Sequence, residues 1–292
     1  MPLQFKTLKI KRNGHILTYD RFFLVGCIQD YYVTQKNVNG DNVHKLNPNL
    51  NSAFSKSKFA NTVNNEEDVY YQIEKYPFHM VGQEIINFNA KEVVEFSFME
   101  TSDYTILIDI DDTIEDLLAA WCKWLNDLYG LNVKPDEVTD WDVARFFPTL
   151  TKEQVFEPLH TDHFWKTVEP KDEAVKYVKQ LIDDGFNVYL CTTTDYRNVK
   201  PKYEYIILKH FPFISWRQVI VAGRKQMIKA DFLIDDGVHN HEGGDYIKIL
   251  MSAPHNRGYD AEANGMYRVD NWETVYKYIK SFSRDEYRIE AI

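Results

Sequence analysis

The sequence predicts an α/β domain with a Rossmann-like, mainly parallel sheet and an inserted helical cap, preceded by a small β-rich domain. Strand-like runs alternate with amphipathic helix patterns after residue 103, strand patterns dominate the first hundred residues, and one connection is far longer than a crossover needs. At roughly 100–200 residues per domain, a chain of 292 residues has room for two. We expect them at residues 1–100 and 101–292.

The expectation of a β-rich first domain rests on three segments. Asn13-Gly14 lies between alternating apolar residues, which is the strongest short-range signal for a β-hairpin. Residues 22–28 and 91–99 predict further strands. Residues 37–65 contain nine asparagines and little apolar periodicity, so a long loop is expected there.

The α/β part is marked by short apolar runs typical of parallel strands that are covered on both faces, at residues 104–109, 187–191, 218–222, 231–235 and 246–251. Two apolar stripes at helical spacing lie between them and end before Gly130 and at Gly185. This alternation predicts a mainly parallel sheet, whose ligand site lies beyond the carboxyl ends of the strands.

Composition and charge exclude several classes of protein. With 44% apolar and 27% charged residues, the chain is neither disordered nor fibrous, and its three separated cysteines predict neither a disulfide framework nor a thiolate zinc site. The net charge of −10 argues against an extended nucleic-acid surface. The first hundred residues carry eleven basic and eleven acidic side chains, so the whole acidic excess lies after them.

The apolar runs are all shorter than the roughly 18 residues that a membrane span requires. The first residues have the pattern of neither a signal peptide nor a transit peptide. We therefore expect no membrane partner and a cytoplasmic location.

Four chemically distinct groups stand at or near the ends of the predicted strands: Asp109 and Asp111, Thr192, Lys225, and Asp235 with Asp236. The first motif alone could be a solvated loop or a helix cap. It is not a calcium loop, because Ile114 and Ala120 stand where that loop needs Gly and Glu. Together, the four groups predict a phosphoryl-transfer site.

The clustered carboxylates of this site require a cation. Two like charges about 4 Å apart repel by roughly 4 kcal/mol at an effective dielectric constant near 20. Oxygen-only ligands at a phosphate site favour Mg²⁺. Asp109 can then attack phosphorus, Asp111 can act as acid and then base, and Thr192 and Lys225 can hold the phosphoryl oxygens.

These motifs, in this order, resemble those of the haloacid dehalogenase-like phosphatases: Asp109-Ile-Asp-Asp-Thr, Thr192 after an apolar run, Lys225, and Asp235-Asp236. Four further stretches resemble the 5'(3')-deoxyribonucleotidase family, at residues 210–214, 225–236, 249–257 and 268–275. The resemblance covers about residues 103–281.

The resemblance implies a role for each matching residue. Asp109 would be the nucleophile and a metal ligand, Asp111 the acid/base whose main-chain carbonyl meets the metal, and Asp236 a third ligand with Asp235 close by. The phosphate-binding residues would be Thr192, Thr193, Lys225 and Lys202. The chain departs from the family at Thr193-Thr194-Asp195, where relatives often carry Ser or Ala after the motif threonine, and this leaves the outer phosphate contacts open.

The long connection predicts the cap. Thr113 and Thr192 are 79 residues apart, whereas a strand–helix–strand unit needs roughly 30, so we expect an insertion at about residues 117–170. Its aromatic residues could stack on a nucleobase or form its own core. The family resemblance places Trp141, Phe164 and Trp165 near the base, with Leu117 as a pocket wall.

Other polar features have simpler interpretations. The pairs His160/His163 and His239/His241 lack the companion ligands of a zinc site, so solvated surface is expected. Asn256-Arg257 could reach the site or only pin its loop.

The sequence thus predicts a Mg²⁺-dependent 5'-nucleotidase that acts on (deoxy)ribonucleoside monophosphates through an aspartyl-phosphate. Two alternatives stay open. The site could serve another small phosphomonoester or a polynucleotide end, or residues 1–100 could carry the main role as an interaction module. The first domain could also join copies of the chain.

Overall fold

The computed structural model describes residues 3–27, 32–36, 42–46, 56–65, 69–75 and 85–283. It divides into two compact units: unit 1, Met1–Asp103 with Tyr278–Ile292, and unit 2, Tyr104–Lys277. Within the described ranges, every helix is too short or too polar to cross a membrane. That residues 1–100 form a separate accessory domain stays a prediction.

Unit 1 is built on antiparallel strands. Its six-stranded sheet contains β1 (Leu3–Arg12), β2 (His15–Asp20), β3 (Phe23–Cys27), β6 (Tyr70–Glu74), β7 (Ile85–Asn89) and β8 (Val93–Phe98). The order is β2-β1-β3-β6-β7, with β8 also paired to β1. A separate hairpin pairs β4 (Tyr32–Lys36) with β5 (Asn42–Leu46).

The hairpin predicted at Asn13-Gly14 is present. Arg12 pairs with His15, and the two turn residues between them have φ values of 51° and 80°. Two consecutive positive φ values are the mark of the primed turn that matches the twist of a hairpin, and Asn-Gly tolerates them best. A local sequence signal was therefore sufficient to predict this hairpin.

The long loop predicted over residues 37–65 is wrong, because the described part of that segment contains β5 and the helix α1 (Lys56–Asn64). The helix buries the ring of Phe59 completely. That ring lies 5.2 Å from the ring of Phe5 and 4.8 Å from that of Tyr71, both on sheet strands. Its partners are distant in sequence, so local periodicity could not reveal it.

Unit 2 contains the predicted parallel sheet. Its strands are β9 (Thr105–Ile108), β10 (Asn187–Thr192), β11 (Val219–Val221), β12 (Phe232–Asp235), β13 (Ile247–Met251) and β14 (Met266–Val269). Their order is β11-β10-β9-β12-β13-β14, and every neighbouring pair is parallel. The predicted α/β fold is confirmed. β14, of four residues, is not among the predicted strands.

The helices of this part of the chain are α2 (Leu117–Tyr129), α3 (Lys152–Phe156), α4 (Asp162–Trp165), α5 (Ala174–Asp183), α6 (Tyr196–Pro201), α7 (Leu208–His210), α8 (Val238–His241) and α9 (Trp272–Ser283). Helices α2 to α4 lie between β9 and α5, where the insertion is predicted. A π-helical segment, Lys202–Ile207, separates α6 from α7. The boundary between the two units falls within α9.

The two connections of the insertion to the sheet are held together at its base. The amide of Asp116 donates to Glu169 O at 3.0 Å, and the amide of Lys171 donates to Ile114 O at 3.0 Å. The ammonium of Lys171 lies 2.7 Å from Asp116 Oδ1. The chain therefore leaves and re-enters the sheet region at adjacent points.

Replacing Phe59 by Ala tests the core of unit 1. Truncation of a fully buried Phe costs about 3–5 kcal/mol through lost burial and the cavity left behind. We expect the full-length variant to begin unfolding at a lower urea concentration than the wild type, as measured by circular dichroism. All six tryptophans lie in unit 2, so their fluorescence follows that unit separately. The control Ile16→Ala, at a side chain that is 59% exposed, should change stability by no more than about 0.5 kcal/mol. An equal loss in both variants would contradict the assignment of Phe59 to the core.

Candidate active site

Three carboxylates meet where the neighbouring parallel strands β9 and β12 end. Asp109 follows β9, and its amide donates to Ile234 O on β12 at 2.9 Å. Asp235 ends β12 and Asp236 follows it. One carboxylate oxygen from each of the three aspartates lies within 4.8 Å of the others, and all three side chains are buried. The parallel register therefore brings together residues more than a hundred positions apart.

The side chain of Lys225 brings a positive charge into this cluster of carboxylates. Its ammonium contacts Asp109 Oδ1 and lies 2.6 Å from Asp235 Oδ2. Burial alone would lower the pKa of Lys225, but the carboxylates of Asp109 and Asp235 outweigh burial and raise that pKa. The lysine is therefore charged, and it neutralises part of the negative charge of the three aspartates.

The remaining negative charge makes the cluster suitable for a cation. Burial raises the pKa of Asp109 to about 7, Asp235 and Asp111 add to the rise, and Lys225 opposes it. Burial also raises the pKa of Asp236 well above its ordinary value, with the charges of Asp235 and Asp109 adding to the effect. Buried oxygen ligands with uncompensated charge fit a hard divalent ion.

Asp235 is anchored by the protein more fully than its two neighbours. Its Oδ2 accepts from Lys225, and its Oδ1 accepts from the amide of Gly237 at 2.8 Å and from Asn240 Nδ2 at 3.0 Å. Asp109 and Asp236 keep oxygens that can turn toward a ligand. Asp235 is therefore fixed in place, and it helps to hold Lys225 beside Asp109.

Asp111 lies beside a second buried lysine. The ammonium of Lys202 contacts Asp111 Oδ2 and donates to Thr192 Oγ1 at 3.1 Å. It also lies 5.3 Å from the ring centre of Trp165. Lys202 opens the π-helical segment, a distortion that is frequent at functional sites. The structure thus brings together the predicted acid/base and two predicted phosphate-binding residues.

A cavity of about 570 Å³ opens beside these groups, within the usual range for a small-molecule site. Its walls include many of the predicted site residues: Asp109, Asp111, Leu117, Trp141, Trp165, Thr193, Lys202, Lys225 and Asp236. The insertion and the sheet both contribute to the walls. Charged and aromatic residues both line the cavity, and in one case they meet, since the Lys202 ammonium lies over the Trp165 ring.

Phe164 does not lie where the family resemblance places it. It is fully buried, and its ring packs against those of Trp124 at 5.8 Å and Trp165 at 5.5 Å. It is not among the residues that line the cavity. A Phe has no polar group to keep near water, so this ring forms part of the insertion's own core.

One expectation about the histidines is wrong. His241 is fully buried, and its Nε2 lies 3.1 Å from Asp235 O, so it supports the site instead of facing solvent. His160 is exposed but also lines the cavity, with its Nδ1 3.0 Å from Asn198 Oδ1. The motif spacing of the histidines carried no information on either position.

Two histidines that the sequence analysis did not assign to the site, His239 and His255, also line the cavity, beside the predicted Trp141. Trp141, 59% exposed, is contacted edge-on by His239 at 4.8 Å and by His255 at 5.0 Å. His255 Nε2 also lies 3.4 Å from Asp236 Oδ2. His255 follows β13, so the rule that ligand residues follow parallel strands could have found it.

Glu115 is an unusual neighbour of Asp111. It is fully buried, and in the described part of the chain no N–H or hydroxyl group donates to either of its carboxylate oxygens. Burial, with the charges of Asp111 and Asp112, raises its pKa well above the ordinary value. Its carboxyl group therefore keeps its proton to higher pH than an exposed glutamate does.

The described geometry agrees with comparisons to known proteins. The family model for "5' nucleotidase, deoxy (Pyrimidine), cytosolic type C protein" matches residues 103–284. The 5'(3')-deoxyribonucleotidase of Bacillus subtilis is 34% identical over 172 residues, which are 58% of this chain and 95% of the relative. The enzyme of that name from Clostridium acetobutylicum is 29% identical over 168 residues, 58% of this chain and 90% of the relative.

Similar solved structures include a HAD family hydrolase from Deinococcus radiodurans, with a TM-score of 0.46 and 11% identity over 63% of this chain and 97% of the other. A HAD hydrolase from Entamoeba histolytica has a TM-score of 0.42 and 14% identity over 62% of this chain and all of the other.

The protein is a phosphoric monoester hydrolase, as the sequence predicts. Its site has the acidic side chains of such an enzyme at the ends of parallel strands, and a buried lysine lies between two of them. More narrowly, the chain belongs to the family of cytosolic type C 5' nucleotidases that the model over residues 103–284 describes.

The raised pKa of Asp109 predicts how stability depends on pH. An acid whose pKa is 3.8 when unfolded and about 7 when folded keeps its proton in the folded state over that interval. The free energy of unfolding in EDTA should therefore fall as pH rises through the interval, and Asp109→Asn should flatten the dependence. Urea unfolding at a series of pH values measures both. An equally steep dependence in the variant would exclude Asp109 as a source.

Proposed function

We propose that this protein is a Mg²⁺-dependent 5'-nucleotidase that hydrolyses (deoxy)ribonucleoside monophosphates to nucleoside and phosphate. The observation that carries the proposal is the meeting of the carboxylates of Asp109, Asp235 and Asp236 beside a cavity with aromatic residues in its walls. The ammonium of Lys225 lies between Asp109 and Asp235. The names of the Bacillus and Clostridium relatives support the same substrate class.

The acidic cluster would hold the cation. Asp109 and Asp236 are its proposed side-chain ligands, Asp111 would contribute its main-chain carbonyl, and Asp235 would lie close by. When bound, Mg²⁺ would supply positive charge to the phosphoryl oxygens and compensate the buried carboxylates. The buried, charge-rich donor set supports this assignment.

Asp109 is the proposed nucleophile. Its carboxylate oxygen forms a bond to phosphorus while the bond from phosphorus to the ester oxygen breaks, and Asp111 gives its proton to that leaving oxygen. In the second half, Asp111 takes a proton from water. The water oxygen bonds to phosphorus, and the bond to Asp109 breaks, which releases phosphate and restores both side chains.

Two lysines and two threonines would hold the phosphoryl group. Lys225 and Lys202 each carry three N–H donors, so each can keep a carboxylate contact while donating to a phosphoryl oxygen. Thr192 ends β10 and can donate its hydroxyl to a phosphoryl oxygen. Thr193 follows it and donates its hydroxyl to Ala222 O at 2.7 Å, so its proposed phosphate contact requires that hydroxyl to turn. Fixed donors aimed at developing charge lower the barrier because they need no rearrangement.

The insertion at residues 117–170 is proposed as a cap that binds the nucleoside. Trp141 and Trp165 line the cavity from the insertion, and Leu117 lies in the wall beside them. Stacking on aromatic rings is worth about 1–3 kcal/mol per base and tolerates different bases. A capped cavity also excludes water from the charged groups, which strengthens their interactions.

Asp109→Asn tests the proposed nucleophile. The amide keeps the shape of the side chain but cannot form the aspartyl-phosphate, so phosphate release from every deoxynucleotide should fall by at least about a thousandfold. The assay measures phosphate with Mg²⁺ and with EDTA, and activity of the wild type should require the cation. Asp183→Asn, at an exposed residue paired with Lys179, is the matched control and should keep full activity. Full activity in Asp109→Asn would exclude this mechanism.

Trp141→Ala tests whether the insertion binds the base. Loss of one stacking partner should raise the KM for a deoxynucleoside monophosphate by about 10- to 100-fold, with a smaller effect on kcat. A sugar phosphate, which has no base, should be a poor substrate for wild type and variant alike. Trp216→Ala removes an exposed tryptophan outside the cavity walls and should leave KM unchanged. Good turnover of sugar phosphates would instead favour a general small-molecule phosphatase.

A further inference from the structure

Asn256 lies in the loop after β13 and is 2% exposed. Its Nδ2 donates to Asp236 O at 2.8 Å and to Met251 O at 2.8 Å. Its Oδ1 accepts from the amide of Ala253 at 3.2 Å. One buried amide group therefore joins the end of β13 to the main chain of Asp236, which follows β12.

Arg268, on β14, fixes the orientation of this amide. Its Nη1 donates to Asn256 Oδ1 at 2.8 Å, and its Nη2 donates to Asn256 O at 3.0 Å and to Tyr259 O at 2.7 Å. A guanidinium group can only donate, so the oxygen of the Asn256 amide must face Arg268. The NH₂ group must then face Asp236, and rotation of the amide by 180° would break the bonds on both sides.

The carboxylate of Asp236 depends on this support more than that of Asp235 does. Asp235 is held through its own oxygens by Lys225, Gly237 and Asn240. The Asp236 carboxylate is approached by His255 Nε2 at 3.4 Å, and it is the Asp236 main-chain oxygen that accepts the shorter bond from Asn256. The place of the Asp236 carboxylate is therefore set largely through its backbone.

We propose that Asn256 and Arg268 are positioning residues for the cation site, which hold Asp236 in the place where its carboxylate can bind a divalent ion. This inference rests on the proposed function, since it assigns Asp236 as a ligand. Outer groups of this kind commonly change metal affinity without touching the metal. Arg257, the neighbour of Asn256, has a different place: it pairs with the exposed Asp136 at 2.6 Å.

Direct cation binding by the full chain tests the inference without an activity assay. Mn²⁺ is titrated and its free concentration is followed by electron paramagnetic resonance, for the wild type, Asn256→Ala, Arg268→Met and the double variant. The control Asn126→Ala removes another asparagine that makes two main-chain hydrogen bonds, to Val133, far along the chain from Asp236. Thermal unfolding in EDTA is measured for each protein.

Asn256→Ala should raise the Kd for Mn²⁺ by about 10- to 100-fold, and Arg268→Met should raise it less. The double variant should be no weaker than Asn256→Ala, because both residues act through one amide. Asn126→Ala should lower Tm but leave the Kd unchanged. If Asn256→Ala does not fold, Arg268→Lys provides the test, since it keeps the charge and loses the two-pronged contact.

Two results would overturn the inference, and they are distinguishable. Mn²⁺ binding at the wild-type Kd in Asn256→Ala, or in Arg268→Lys where that variant is needed, would leave the pair a purely structural role while the proposed cation site stands. Failure of the wild type itself to bind Mn²⁺ would reject the cation site and, with it, the proposed function.

Discussion

The charge balance at the ends of β9 and β12 is the constraint on which the rest of unit 2 depends. Three buried aspartates meet there, a buried lysine pairs with two of them, and burial raises the pKa of Asp109 and Asp236. Such a cluster opposes folding unless lysine, hydrogen bonds and a cation compensate its charge. The parallel sheet supplies the burial energy and the rigid frame that keep these groups together.

Different elements of unit 2 position different residues of the site. Strands β9 and β12 place the acids, the π-helical turn places Lys202 against Asp111 and Thr192, and the insertion adds the aromatic wall. Gly237 and Asn240 anchor Asp235, whereas the loop after β13 reaches Asp236 through Asn256. The residues proposed to react or to bind the cation are thus held in place by residues that do neither, as a preorganised site requires.

Strong local patterns were informative about the fold. The Asn13-Gly14 turn and the apolar runs of the parallel strands have local physical causes, so the hairpin and most of the sheet followed from them. Helix α1 did not, because Phe59 is buried only by rings that other strands bring to it. For the same reason, the sequence could not show that Trp165 lines the cavity whereas its neighbour Phe164 is buried in the core of the insertion.

The sequence by itself determined the chemistry of the site: which acids, lysines and threonines end the strands, and hence a phosphomonoester hydrolase of the nucleotidase family. Only the tertiary structure decided the partners of each group, including Lys225 between Asp109 and Asp235, Lys202 beside Asp111, and Asn256 behind Asp236. Strand-end positions follow from local patterns, whereas the direction of a hydrogen bond or the burial of a ring is set by residues far away in the chain.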